Sequence, residues 1–281
     1  MPPETSPGTG VAPVLVAREV TKVFAGVTAL REVTVVLRPQ EILGIIGPNG
    51  AGKTTLFNVI TGIFPATRGA IELFGQPITG LSTHQIARLG VARTFQNIRL
   101  FREMTVLENV LVGRHSQSQT GFLGAVLRWP SARQEEARLA EEARGYLDMV
   151  GLADKWEAAA GGLPTGQQRL LEIARALASE PRVVLLDEPA AGLNTRETES
   201  LAEFIQLLPQ KVGAAVGLIE HDMRLVMDAS HRVVVIDRGR KIAEGPPTAV
   251  QQDAQVIAAY LGEDFAESGR RPAAPEGGSG E

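Results

Sequence analysis

The run Gly47, Pro48, Asn49, Gly50, Ala51, Gly52, Lys53, Thr54, Thr55 constrains this chain more than any other feature. It fits the pattern G-x-x-x-x-G-K-[ST]. It also sits where that pattern belongs, after the strand-like ILGII and before the helical stretch LFNVITGIF. Glycines let the backbone curl around a phosphate with several N–H groups pointing inward, and the following helix N-terminus adds partial positive charge. Lys53 supplies a full charge to the β- and γ-phosphates, and the Thr54 hydroxyl can ligate Mg²⁺. A chance lysine in an ordinary Gly-rich turn is the bland alternative, and the context on both sides argues against it.

Other apolar runs of strand length end in polar residues. Val183 to Leu186 ends at Asp187 and Glu188, Val216 to Ile219 at Glu220 and His221, and Val233 to Ile236 at Asp237. Such runs fit buried parallel strands of an α/β sheet, whose ligand sites lie beyond the strands' carboxyl ends. The stretches VLVAREVTKVF and GAIELFG alternate more, as in an antiparallel layer at the side. The middle, 98–162, reads mostly helical, with Ala140, Ala143, Leu147 and Val150 on one face and Glu135, Glu136, Glu141, Glu142 and Arg144 as a solvated surface. We therefore expect a helical subdomain over about 98–180. A Mg-nucleotide needs a carboxylate beside the phosphate loop, and VVLLDE offers two acids: one to hold the metal, the other to polarise an attacking water.

Length and composition limit the alternatives. At 281 residues the chain suits one large domain, or one with a subdomain inserted. A net charge of −4 argues against a protein whose main business is coating nucleic acid. Cysteine is absent, which removes disulfides, thiolate nucleophiles and Cys-ligated metals. The longest apolar run, Val212 to Ile219, falls far below the roughly 18 residues that span a bilayer, and no signal peptide precedes the first strand. Residues 1–13 and 265–281 are rich in Pro, Gly, Ser and charge, and are expected to be a disordered leader and tail; Arg270 and Arg271 lie in the latter.

Several further motifs, in order, resemble those of the nucleotide-binding subunits of ABC transporters, over roughly 14–264. Gln96, in RTFQN, resembles the glutamine loop, which in that family touches Mg²⁺ and relays to the membrane subunit. LPTGQQ followed by RLLEIARAL resembles the family signature and its helix. The stretch from Ala191 to Asn194 resembles the loop where two subunits communicate, and His221 resembles the switch histidine that contacts the γ-phosphate. Phe24 stands where the family keeps an aromatic that stacks on adenine. His84, His115 and His231 match nothing and are read as surface or local-structure residues. The resemblance implies an α/β fold: a P-loop NTPase (RecA-like) core with an antiparallel β layer and an inserted α-helical subdomain. It also implies ATP and Mg²⁺ as ligands, with Thr54, Gln96 and Asp187 at the metal and Glu188, His221 and Gln96 in catalysis.

TFQNIRLFREMTVLENVLVGRH, DEPAAGLN, IEHDMRLVMDAS and GRKIAEGPP look most like the branch that energises importers of branched-chain amino acids and their amide- and urea-importing relatives. That likeness implies transmembrane permease subunits, a periplasmic or extracellular substrate-binding protein, no nucleic acid, and a peripheral place on the cytoplasmic face of the membrane. Apolar Ile98, Leu100, Phe101 and Met104 are candidates for the permease dock, with core packing expected to take at least half of them. Rival readings are a lipid or polysaccharide exporter's ATPase, a non-transport ABC ATPase, and an ATP-binding regulator without turnover. A single phosphate loop, no cysteine and the presence of Glu188 and His221 argue against the last two.

The signature departs from the family at one place. Pro164 stands where a serine hydroxyl usually bonds the γ-phosphate held by the opposite subunit, and proline offers neither hydroxyl nor N–H. Thr165, Gly166 and Gln167, with Thr165 and the Gly166 N–H expected just before the helix, are left to keep part of the anion site. A homodimer would carry the proline in both sites, so a heterodimer with a second ATP-binding subunit is expected.

Overall fold

In the computed structural model, which describes residues 12–115 and 130–267, the chain opens with two long strands, β1 (Leu15–Phe24) and β2 (Val27–Leu37), paired antiparallel. β3 (Ile42–Ile46) then feeds the phosphate loop and α1 (Lys53–Ile60). β4 (Arg68–Leu73) and the short β5 (Gln76–Pro77) return to β1, completing an antiparallel sheet of order β2-β1-β4-β5. α2 (Thr83–Arg88) leads to β6 (Val91–Arg93). Among the described residues the helices α3 (Val106–His115), α4 (Pro130–Met149) and α5 (Thr165–Leu177) follow. The rest alternates: β7 (Val183–Asp187), α6 (Thr195–Val212), β8 (Ala215–Ile219), α7 (Met223–Ala229), β9 (Arg232–Asp237), β10 (Arg240–Gly245), α8 (Pro247–Gln251) and α9 (Ala254–Glu267).

The second sheet has the order β10-β9-β3-β8-β7-β6, and only its edge strand β10 runs antiparallel. Every residue of β3, β7 and β8 is buried, because this sheet is covered on both faces. Alternate side chains go to opposite layers. Leu43, Ile45, Val183 and Leu185 join the core shared with the antiparallel sheet and α1. Ile42, Val184, Leu186, Val216 and Leu218 pack against Ile173, Leu177, Leu201, Ile205 and Leu208 of α5 and α6. That is why these strands read as continuous apolar runs rather than alternations.

The helical insert has its own core, in which Val106, Val110, Ala143, Leu147, Val150 and Leu171 meet. α3 and α5 approach so closely that a Cβ on Gly113 would lie 2.1 Å from the Arg175 carbonyl oxygen. Arg114 ties the insert to the sheet side, pairing at 2.7 Å with both Glu142 of α4 and Glu180 after α5. The helical expectation is too generous at its ends. Residues 98–105 form an irregular turn, and 150–164 carry only short 3₁₀ turns at Ala153–Lys155 and Ala160–Gly162.

β2 is a strand the sequence pattern does not disclose. Bulges at its pairing with β1, with Glu32 at φ 52°, break the alternation of VTALREVTVVL. At the far end, residues 265–267, expected to belong to a disordered tail, continue α9, which runs through Glu267. Residues 1–11 and 268–281, with Arg270 and Arg271, lie outside the described residues, as do the side chains of His115, Glu135 and Glu136.

Candidate functional site

The parallel strands end side by side, so the loops after β3, β6, β7 and β8 converge on one edge of the sheet. After β3, Gly47 has φ 147°, and a Cβ there would lie 1.8 Å from the Ile236 carbonyl oxygen, so only glycine fits. Gly52, at φ 108°, starts α1. No side chain caps α1 and no acid stands in its first turn, which leaves its N-terminal amides available to an anion. Asn49 and Gly50 are exposed at the tip, while Gly47, Pro48 and Ala51 are buried, and Thr54 and Thr55 are half-buried. The Gly239 amide, in the β9–β10 turn, supports the loop by donating to the Ala51 carbonyl at 2.8 Å. Lys53 is buried under the loop, its Nζ donating to the carbonyls of Gly47 (2.6 Å) and Pro48 (2.9 Å). A desolvated ammonium at the start of a helix whose N-terminal amides no side chain caps is a ready anion cradle.

Asp187 closes β7 at 1% exposure. Its Oδ2 accepts a hydrogen bond from Arg93 at 2.7 Å, and its buried Oδ1 has no hydrogen-bond partner. Burial pushes this carboxyl up from its ordinary value; Arg93 pulls it down and the neighbouring charge of Glu188 adds to the rise. Glu188 follows in left-handed backbone, φ 50°, held by its amide bond to the Ile219 carbonyl at 2.8 Å. That conformation costs a non-glycine residue on the order of 1 kcal/mol or more and turns the side chain out of the strand line. Its two oxygens are shared: Oε1 lies 2.8 Å from His221 Nε2, and Oε2 accepts from Gln96 Nε2 at 2.7 Å.

Three loops thus meet on one carboxylate beside the phosphate cradle. The structure brings Gln96, Glu188 and His221 into direct contact, and the Thr54 side chain near enough to Asp187 to help lower its pKa. It leaves Thr165, Gly166 and Gln167 without a hydrogen bond to that cluster, although Thr165 lines a cleft with Gln96. They form the first turn of α5, not a loop before it, because Pro164 in extended backbone (ψ 152°) is the N-cap residue. Thr165 is exposed, Gln167 accepts from Lys155 at 2.8 Å, and Gly166 packs on Glu197. Phe24 is half-buried with Phe64 edge-on at 5.1 Å and the Lys22 ammonium 4.7 Å from its ring centre. His84 touches Ser82, and His231 Nδ1 accepts from the Ile42 amide at the start of β3. Among the permease-dock candidates, Phe101 and Met104 are exposed, whereas Ile98 and Leu100 are half-buried.

Two residues of the site escaped sequence reasoning. Arg93 is buried, bonding Asn58 and Thr61 of the α1 end as well as Asp187, so it joins three motifs. Glu220, 5% exposed, accepts from the Ala190 amide at 2.6 Å and the His221 amide at 3.0 Å, which ties the loop after Glu188 to the switch loop. Burial raises its carboxyl's pKa, against three backbone N–H donors that lower it. An arginine inside an apolar strand and an acid at a strand's end were the only signals.

Set beside known proteins, the chain has many relatives. The model of the family described as ABC transporter matches residues 30–191, more than half of the chain, and a model described as branched-chain amino acid ATP-binding cassette transporter matches 240–266. The chain belongs to the ABC transporter family, as one of its ATP-binding, ATP-hydrolysing subunits. It is similar to the high-affinity branched-chain amino acid transport ATP-binding protein LivG of Escherichia coli K12, 47% identical over 85% of this chain and 94% of that one. It is likewise similar to BraF of Pseudomonas aeruginosa, of the same description, 46% identical over 89% and 98%. A crystal structure of the ADP conformation of an ATP-binding cassette of an ABC transporter, 32% identical, superposes with a TM-score of 0.78 over 89% of this chain and 99% of that one. Among the described residues no helix is long and apolar enough to cross a membrane, and the ATP-binding subunits of this family work with membrane permeases.

Proposed function

We propose that this chain hydrolyses ATP to energise an importer of branched-chain amino acids or of closely related amino acids and amides, from the cytoplasmic face of the membrane. The observation that carries the chemistry is Glu188, held by Gln96 on one oxygen and His221 on the other, one residue beyond buried Asp187. The cargo reading is supported by the two bacterial relatives, both branched-chain amino acid transport ATP-binding proteins.

Catalysis in such a site is positioning and electrostatics. Lys53 and the amides of Gly47 to Thr55 hold the phosphates, and Phe24 offers a ring face to adenine. Asp187 Oδ1, buried and without a partner, with the Thr54 hydroxyl beside it, fits a hard cation, which would take its other ligands from phosphate, water and Gln96. A Mg²⁺ there would neutralise charge on the β- and γ-phosphates. Glu188 orients or deprotonates water for in-line attack, and His221 and Gln96 report whether the γ-phosphate is present. Two ATP-binding subunits close head to tail over the nucleotides, each first turn of α5 facing the partner's phosphate loop. Phe101 and Met104, exposed beside the glutamine loop, dock on the permease, and the complex includes a periplasmic or extracellular substrate-binding protein.

Glu188→Gln tests the assignment. Turnover should fall at least about a hundredfold while ATP binding persists and an ATP-bound dimer accumulates on gel filtration. Sustained hydrolysis in that variant refutes the role of Glu188. Uptake of labelled leucine, isoleucine or valine by cells with and without the chain tests the cargo.

A further inference from the structure

We propose that Arg169 and Glu172 are positioning residues for ATP hydrolysis: from the signature helix they clamp the backbone of the glutamine loop, and so keep Gln96 on Glu188. The proposal rests on the reading of Gln96 and Glu188 given above. Both residues belong to α5, four and seven residues after Thr165, and both are buried, at 6% and 2% exposure. Burial of two opposite charges in a helix interior needs a reason, since a pair of this kind seldom stabilises a fold by itself.

The reason is visible in what they hold. Arg169 donates from one guanidinium nitrogen to the Phe95 carbonyl at 3.0 Å and from the other to the Gln96 carbonyl. Glu172 Oε1 accepts from the Arg99 amide at 3.2 Å. The two side chains lie 3.7 Å apart, and Arg175 stands 3.8 Å from Glu172 on the next turn. The loop from Phe95 to Arg99 has no regular secondary structure, so these side chains supply partners its backbone would otherwise seek in water. A planar guanidinium bridging two successive carbonyls fixes their orientation as well as their place.

The consequence reaches the reacting atoms in two steps. The Gln96 carbonyl is held by Arg169, and the Gln96 side chain donates to Glu188 Oε2 at 2.7 Å. The N-terminal turn of the same helix, Thr165–Gln167, one turn before Arg169, faces the partner subunit's nucleotide. Gln96, Thr165, Gln168 and Arg169 line one polar cleft of about 340 Å³, so loop and signature turn are neighbours. A shift of α5 as the partner's nucleotide arrives is thereby delivered to Gln96 through rigid contacts. Arg169 Nε and Glu172 Oε2 are buried without hydrogen-bond partners, so the pair is not fully satisfied and stability alone does not account for it.

The test uses the full chain and reads kcat, KM for ATP and amide hydrogen exchange. Arg169→Met should lower kcat roughly tenfold, leave KM within about twofold, and speed exchange over 95–99 about tenfold or more with β3 and β7 unchanged. Arg169→Lys, whose ammonium can reach one carbonyl but not bridge both, should recover part of kcat. Glu172→Gln, nearly isosteric, should give the same pattern more weakly and serves if Arg169→Met does not fold. Gln96→Ala should lower kcat alone, and Arg169→Met added to it should cost nothing further, because the clamp acts through Gln96. Losses that multiply in the double variant, or unchanged exchange over 95–99, overturn the proposal. Gln96→Ala with normal turnover instead overturns the reading of Gln96, and leaves the exchange data to report the clamp as a purely structural one.

Discussion

Replacing Pro164 by serine is the substitution whose outcome separates two effects of opposite kind. Pro164 is the N-cap of α5, exposed, at φ −55° and ψ 152°, which is also favourable N-cap backbone for serine. A serine hydroxyl there can accept from the amides of the first turn, which no side chain now caps, and that stabilises by about 1 kcal/mol. Losing proline's restraint on the unfolded chain costs roughly 0.4–1 kcal/mol. The two nearly cancel, so the melting temperature should move by no more than a few degrees. Function does not cancel. In a dimer of this chain the hydroxyl and the regained N–H would face the partner's γ-phosphate, and one charge-assisted hydrogen bond contributes about 1.5–3 kcal/mol. Expressed in the transition state, that is roughly a tenfold to hundredfold gain in turnover. The assay is phosphate release by purified chain at saturating Mg-ATP, alongside thermal unfolding. If Pro164→Ser leaves turnover within twofold of the parent at unchanged stability, the proline is not what limits this chain alone. The same holds if the parent chain by itself already matches a mixed complex with a second ATP-binding subunit, which would also refute the expected heterodimer.

Lys53→Ala should weaken ATP binding by about tenfold or more in equilibrium titration, in contrast to Glu188→Gln, because it removes the charge inside the phosphate cradle. Arg93→Met should destabilise the fold by roughly 3–5 kcal/mol in urea, since it leaves Asp187 buried with no countercharge; Arg93→Met with Asp187→Asn should recover part of that. For Glu41, burial raises its pKa, but the Arg232 hydrogen bond, the Arg38 amide and both charges outweigh it, so the carboxyl is held below its ordinary value. A lowered folded value means stability present above the ordinary Glu range and lost as pH falls through the folded one. Acid unfolding below about pH 4.5 should therefore be shallower in Glu41→Gln.

How much was legible depended on how local each signal is. The phosphate loop needs only consecutive residues: a buried strand, glycines where backbone approaches backbone, and a lysine at the helix start, and Gly47 against Ile236 shows why the glycine is there. The strands β3, β7, β8 and β9 were readable because burial on both faces leaves an unbroken apolar run. β2 was not, because its bulges and its polar outer face remove the period. Arg93 and Glu220 carried only a weak local signal, a charge in or at the end of an apolar strand, and Arg169 and Glu172 carried none. A buried charge is explained by its partner, and their partners lie 94, 73 and 30 positions away in Asp187, Gln96 or Arg99, and Ala190.

By itself, then, the sequence determined a phosphate cradle, the acidic pair after a strand and the class of sheet, because each is written in a short stretch of consecutive residues with its flanking strand or helix. Only the tertiary structure decided that Gln96, Glu188 and His221 share one carboxylate, that Asp187 keeps one oxygen free and gives the other to Arg93, and that the signature helix grips the glutamine loop. Those are contacts between strand ends, and which strands lie side by side is settled by packing across the whole sheet, not by any segment of the chain.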